Sequence, residues 1–128
     1  MAESKSSLST ENLWYQYSDE IVALRGISIE IPQGAFVAVL GQNGSGKTTL
    51  IKHFNGLLKP TEGRVLVEGR DTTDLLTSDL ARSVGYVFQN PDHQIYAEKV
   101  RDEVAFGPRN LGHSEERIEV VTEQVLAD

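Results

Sequence analysis

Eight consecutive residues, Gly41-Gln42-Asn43-Gly44-Ser45-Gly46-Lys47-Thr48, have the types and spacing to do chemistry together. Three glycines allow a tight curl whose main-chain amides can approach an anion with no Cβ in the way. Lys47 adds a flexible positive charge suited to outer phosphates, and Thr48 a hydroxyl of the hard kind that Mg²⁺ accepts as a ligand. The spacing is that of the phosphate-binding P-loop, G-x-x-x-x-G-K-[ST], in which Asn43, Gly44, Ser45 and Gly46 form the cradle. Thr49 follows with a second hydroxyl that can donate to an α-phosphate.

Such a loop works only if a buried strand enters it and a helix leaves it, because loop amides and helix N-terminus together make the anion site. The apolar run Ala35 to Leu40 predicts a fully buried parallel strand ahead of the motif, set off by a turn at Pro32 to Gly34. Leu50, Ile51, Phe54, Leu57 and Leu58 recur at helical spacing behind it, with Gly56 as a plausible helix end. Upstream, Trp14 to Tyr17 and Ile27 to Ile31 alternate as two half-buried strands. Downstream, Val65 to Val67 and Gly85 to Phe88 read as short strands, separated by one helical turn over Asp79 to Ser83. Val100 to Phe106 reads as a helix interrupted by Gly107 and Pro108. Ser114 is an N-cap for a last helix with Ile118, Val121 and Val125 as its apolar stripe.

Composition closes several other chemistries. The chain of 128 residues has no cysteine, which removes disulfides, thiolate metal sites and cysteine nucleophiles. His53, His93 and His113 form no i, i+4 pair that would favour a metal site. With 12 Lys+Arg against 19 Asp+Glu, the net charge of −7 argues against general nucleic-acid binding, which rests on neutralising phosphates. The longest apolar run is the six residues of Ala35 to Leu40, where a membrane-spanning helix takes about 20. The polar, Ser-rich start to Asn12 has no signal or transit pattern, so a cytosolic location is expected.

The motifs together resemble the nucleotide-binding subunit of ATP-binding cassette (ABC) transporters. The residues that carry the likeness are Tyr17, the Gly41 to Thr48 loop with Thr49 and Leu50, Gly56 to Gly63, and Val84-Gly85-Tyr86-Val87-Phe88-Gln89. The segments Asn90 to Tyr96 and Val100 to Gly112 resemble the energy-coupling factor ATPases, which power uptake of vitamins and of cobalt or nickel ions.

That resemblance implies an α/β P-loop NTPase fold: the N-terminal part of an ABC nucleotide-binding domain, with an antiparallel β subdomain, an incomplete parallel core sheet and the start of a helical subdomain. Residues 1–10 would be a flexible N-terminus, 11–89 the catalytic core part and 90–128 the helical start. It implies ATP and Mg²⁺ as cofactors, Tyr17 stacking on adenine, Lys47 and Gln89 as catalytic groups, and Thr48 and Gln89 at the metal. Tyr17 also reads simply as an edge tyrosine on the face of Tyr15, and Gln89 as a polar strand end. The implied partners are a transmembrane coupling subunit and a second ABC ATPase subunit, alike or different, with the protein peripheral on the inner face of the cell membrane.

A signature sequence of the Leu-Ser-Gly-Gly-Gln type, a Walker B strand ending in Asp-Glu and a switch histidine do not occur. Val125 to Asp128 only superficially imitates a Walker B strand. The resemblance therefore implies an N-terminal half that binds MgATP weakly or not at all and does not turn it over. A nucleotide-holding module without hydrolysis and a soluble, non-transport ABC ATPase remain as alternatives. With no Walker B strand beside it, the Ala35 to Leu40 run keeps an unpaired edge, so concentration-dependent self-association is expected. Light scattering and thermal melts across a dilution series check this, and a sharp melt of a monomer at every concentration contradicts it.

Overall fold

The computed structural model describes residues 5–127, which divide into two compact units, one running to Gly85 and the other starting at Tyr86. The first unit is built on a four-stranded antiparallel sheet of order β2-β1-β3-β4, made from Ser6–Ser18 (β1), Ile21–Pro32 (β2), Glu62–Val67 (β3) and Arg70–Asp71 (β4). The expected alternation is present in β2, where Ile27, Ile29 and Ile31 are half-buried between exposed Ser28 and Glu30. Pairing begins earlier than the flexible segment 1–10 would allow. Leu8 lies between Ile31 and Val67, and Thr10 between Ile29 and Val65, because the residues from Ser6 onward find ladders on both sides. Residues 1–4 and Asp128, the last of the Walker B-like residues, lie outside the described residues.

The central strand contains a bulge. Asn12 sits at φ +48°, and the register slips between Thr10 and Leu13 on one side and between Glu11 and Trp14 on the other. Side chains in a strand alternate faces, so one inserted residue exchanges them. Buried Thr10 is followed by buried Leu13, three residues on. Room for the bulge comes from glycines on both neighbouring strands. A Cβ on Gly63 of β3 would lie 2.1 Å from the Asn12 carbonyl oxygen, and one on Gly26 of β2 would lie 3.1 Å from Asn12 Oδ1.

On the core face the helix Lys47–Phe54 (α1) covers the sheet. Leu13, Leu24, Val65 and Phe54 form the buried cluster, with Leu50 and Ile51 packed against it. Gly56, at φ +77°, ends the helix as expected, and its N–H donates to the His53 carbonyl. Leu57 and Leu58, expected in the same helical recurrence, lie beyond the end of the helix at Phe54, and Leu57 is exposed. His53 is fully buried, donating from Nδ1 to the Thr49 carbonyl at 2.7 Å and meeting the Tyr15 ring nearly edge-on. Burial pushes its pKa down, and main-chain oxygens of Thr49 and Lys59 only partly offset this.

Two expected strands are not formed. Ala35 to Leu40 and Gly85 to Phe88 carry no strand pairing among the described residues, and Phe36 and Leu40 are 101% and 90% exposed. A buried parallel strand requires ladders on its edges and cover on both faces, and neither run meets a neighbouring strand here. The expected antiparallel sheet is formed, and the expected parallel core sheet is not formed among the described residues.

The first unit also contains the short helix Thr77–Leu80 (α2). In the second unit, the helices Val100–Asn110 (α3) and Glu115–Ala127 (α4) form a hairpin. The expected break at Gly107 and Pro108 does not occur; α3 runs through it. Proline removes one helical N–H near the end of α3, where little helix remains to disrupt. Gly107 has no Cβ to clash with the proline ring. Ser114 caps α4 as expected, its Oγ accepting from the Arg117 N–H at 3.2 Å. The α4 stripe is shifted: Ile118 and Thr122 are buried, Val121 is half-buried and Val125 exposed.

Two measurements test this packing. The folded chain holds His53 neutral while the unfolded chain protonates it near pH 6.5, so its contribution is complete above that value and is lost as pH falls toward the depressed folded pKa. The urea midpoint should fall between pH 7.5 and 5.5, and His53→Gln should flatten that part of the profile. Gly44 and Gly46 both have positive φ, but a Cβ meets nothing within 4 Å at Gly44, whereas at Gly46 it would lie 3.0 Å from the Ala23 carbonyl oxygen. Gly44→Ala should cost about 1–2 kcal/mol from backbone strain, and Gly46→Ala more, in denaturant unfolding.

Candidate functional site

The loop from Gly41 to Gly46 curls back on itself and delivers the chain into α1. Ser45 N–H donates to the Gln42 carbonyl at 3.1 Å, closing the turn. Gly44 at φ +82° and Gly46 at φ +98° adopt the left-handed conformations that reverse the chain. Gly46 is the N-cap, and no side chain caps the helix. Its first helical bond runs from the Leu50 N–H to the Gly46 carbonyl at 2.8 Å. An α-helix leaves its first-turn amides without intrahelical acceptors, and the partial positive charge there favours an anion.

Gly46 is fixed by the sheet beneath it. A Cβ there would lie 3.0 Å from the Ala23 carbonyl oxygen and 3.1 Å from Leu24 Cδ2 of β2, so the start of α1 lies close against the strand. Gln42 to Ser45 and Thr48 are exposed, while Thr49, one residue further, is buried.

Lys47 folds over its own loop. Its Nζ donates to the Gly41 carbonyl at 2.5 Å, to the Gln42 carbonyl at 2.8 Å and to Ser45 Oγ at 3.4 Å. The ammonium thus stands over the curl, where it is available to an incoming anion.

Tyr17 and Thr49 are brought together. The Tyr17 hydroxyl lies 2.8 Å from Thr49 Oγ1, and the Tyr15 ring meets the Tyr17 ring edge-on at 4.8 Å. Tyr17 stays half exposed, leaving an aromatic surface beside the first turn of α1. An exposed aromatic face next to a phosphate cradle suits a nucleotide base. Neither Tyr15 nor His53 was singled out by residue type. Both are supports: the Tyr15 ring packs at near right angles on the Tyr17 and His53 rings, and His53 Nδ1 donates to the Thr49 carbonyl.

For Mg²⁺, Thr48 presents an exposed hydroxyl at the helix start, a hard oxygen donor of the type the ion takes alongside water and phosphate oxygens. Among the described residues, no group of three or more His, Asp or Glu side chains forms an all-protein metal cage.

Gln89 belongs to the second unit, where it lies in an exposed bend. Locally, that segment is held by Gln94, whose Oε1 accepts from Phe88 N–H at 2.7 Å and whose Nε2 donates to the Tyr86 carbonyl at 3.0 Å. Asn90 caps the following turn, Oδ1 accepting from Asp92 N–H at 3.2 Å. At the entry to α3, Glu103 Oε2 accepts from the N–H groups of Tyr96 and Ala97.

Comparison with known proteins identifies the family. Residues 24–127 match the ABC transporter family. An ABC transporter ATP-binding protein of Caldanaerobacter subterraneus is 54% identical over 111 residues, covering 87% of this chain and 20% of that protein. The energy-coupling factor transporter ATP-binding protein EcfA of Methanocaldococcus jannaschii is 43% identical over 123 residues, covering 93% of this chain and 43% of that protein. Among solved structures, cbiO1 of Clostridium perfringens, described as part of the ABC transporter complex cbiONQ, superposes with a TM-score of 0.79 at 41% identity, over 90% of this chain and 47% of that one. The chain spans less than half the length of each of these three proteins. With the phosphate cradle, the aromatic beside it and a family match over most of its length, this chain belongs to the ABC transporter ATPase family.

Proposed function

We propose that this chain is the ATP-binding part of an energy-coupling-factor-type importer ATPase, which couples ATP binding and hydrolysis to uptake of a metal ion or vitamin. One observation carries the reading: a glycine-shaped loop entering α1, roofed by Lys47, beside an exposed tyrosine. Names of relatives support the importer class, since EcfA is an energy-coupling factor protein and cbiO1 belongs to a transporter complex.

In this reading the amides of Asn43, Gly44, Ser45 and Gly46 and the helix N-terminus receive the β-phosphate. Lys47 exchanges its loop carbonyls for phosphate oxygens and neutralises charge that grows as the γ-phosphoryl transfers. Tyr17 receives the adenine, and Thr49 donates to the α-phosphate. Thr48 would hold Mg²⁺, which would supply charge neutralisation on the phosphates; contact with the ion and the attacking water is the role that the family resemblance implies for Gln89. An amide suits that position because it accepts or donates without adding charge.

The working assembly would sit on the inner face of the cell membrane, with a transmembrane coupling subunit docked on it and a second ATPase subunit, alike or different, closing the site. The signature and Walker B groups that would come from the rest of such an assembly are not in this sequence. Phosphoryl transfer depends on positioning and charge stabilisation, so the chain by itself should not turn MgATP over. Of the two binding outcomes expected from the resemblance, weak binding or none, the preformed curl of the loop favours weak binding.

Calorimetric titration of the purified chain should therefore give weak MgATP binding, reduced about tenfold or more by Lys47→Ala, the worth of a charged hydrogen bond. Steady phosphate release should be absent. Failure to bind MgATP, or equal binding by Lys47→Ala, would remove the proposal, and steady release sensitive to Lys47→Ala would remove the inactivity.

A further inference from the structure

The Tyr17 hydroxyl reaches past the exposed face of its own ring to a buried residue of the phosphate helix, Thr49 Oγ1, at 2.8 Å. Thr49 is held at its other end too, because the His53 Nδ1–H donates to its carbonyl. Tyr15 closes the arrangement, meeting Tyr17 at 4.8 Å and His53 at 4.9 Å, both nearly edge-on. Stacking on a base needs only the face of an aromatic ring. The hydroxyl contact is left unexplained by that role.

A threonine hydroxyl carries one proton and two acceptor lone pairs. Phenol is much the stronger acid of the two hydroxyls, so Tyr17 is the natural donor and Thr49 Oγ1 the acceptor. Acceptance fixes the threonine oxygen and leaves its own proton free to turn toward an anion at the helix start. The reverse arrangement would direct the only threonine proton to the tyrosine and leave none for a phosphate.

We propose that Tyr17 is a positioning residue for the phosphate end of the site as well as a platform for the base: through its hydroxyl it holds Thr49 as a phosphate donor, so the two ends of a nucleotide are read by one coupled pair. The inference rests on the nucleotide reading above and adds a specificity device to it. Base and polyphosphate then reinforce one another through a bond within the protein, in addition to their own covalent link.

Inorganic tripolyphosphate separates the two roles, because it has no base to stack. Its binding with Mg²⁺ is measured alongside MgATP for the full chain and for Tyr17→Phe, Thr49→Val, Thr49→Ser and the double variant Tyr17→Phe/Thr49→Val. Tyr17→Phe should weaken tripolyphosphate about three- to tenfold, the scale of one uncharged hydrogen bond. Thr49→Val should weaken it at least as much, the double variant should be no worse than Thr49→Val, and Thr49→Ser should bind nearly as the original chain. A general loss of structure would weaken the double variant further and would not be relieved by serine. If Tyr17→Phe binds tripolyphosphate as the original chain does, or if the two losses add, the coupling is overturned while the nucleotide reading stands. If the original chain binds neither ligand, the nucleotide reading fails and takes the coupling with it.

Discussion

The bulge at Asn12 is the constraint on which the first unit depends. Ahead of it, the even-numbered residues Leu8 and Thr10 share the core side of β1; beyond it, Leu13 takes over that side. Without the extra residue, strand periodicity would send Leu13, Tyr15 and Tyr17 away from α1. The sheet would lose a core leucine, and the helix would lose its aromatic neighbour. A bulge in a central strand needs space on both sides, and Gly26 and Gly63 supply it from opposite neighbours. Three small features, far apart in sequence, therefore fix which way one tyrosine points.

The helix is seated with similar economy. Gly46 lets the start of α1 rest on the main chain of β2, while Phe54 anchors its other end in the cluster with Leu13, Leu24 and Val65. With both ends of an eight-residue helix held, its first turn is presented to solvent at a fixed place beside β1. The loop needs no regular structure of its own to be positioned. Binding groups carried on a loop but braced by a rigid sheet are a recurrent arrangement.

What was legible in the residues was what is decided locally. The glycine spacing and Lys47 set the loop, the recurrence from Leu50 to Phe54 set the helix, Gly56 its end and Ser114 the start of the last one. Ala35 to Leu40 and Gly85 to Phe88 misled because burial of a parallel strand depends on its neighbours and not on its own composition. At Gly107 and Pro108 a residue-level rule failed because proline's penalty depends on how much helix lies beyond it. The hydroxyl contact from Tyr17 to Thr49 spans 32 positions and follows from the Asn12 bulge, for which alternation alone gives no warning.

The three bonds from the Lys47 ammonium to its own loop bear on how such a site is loaded. A cation standing free would gain the full attraction of an arriving polyanion, whereas this one must surrender oxygen partners it already has. The loop in turn keeps its curvature when empty, so little ordering entropy remains to be lost on capture. Capture of an anion there is an exchange of ligands around a preset ammonium, with a shallow net gain and easy reversal.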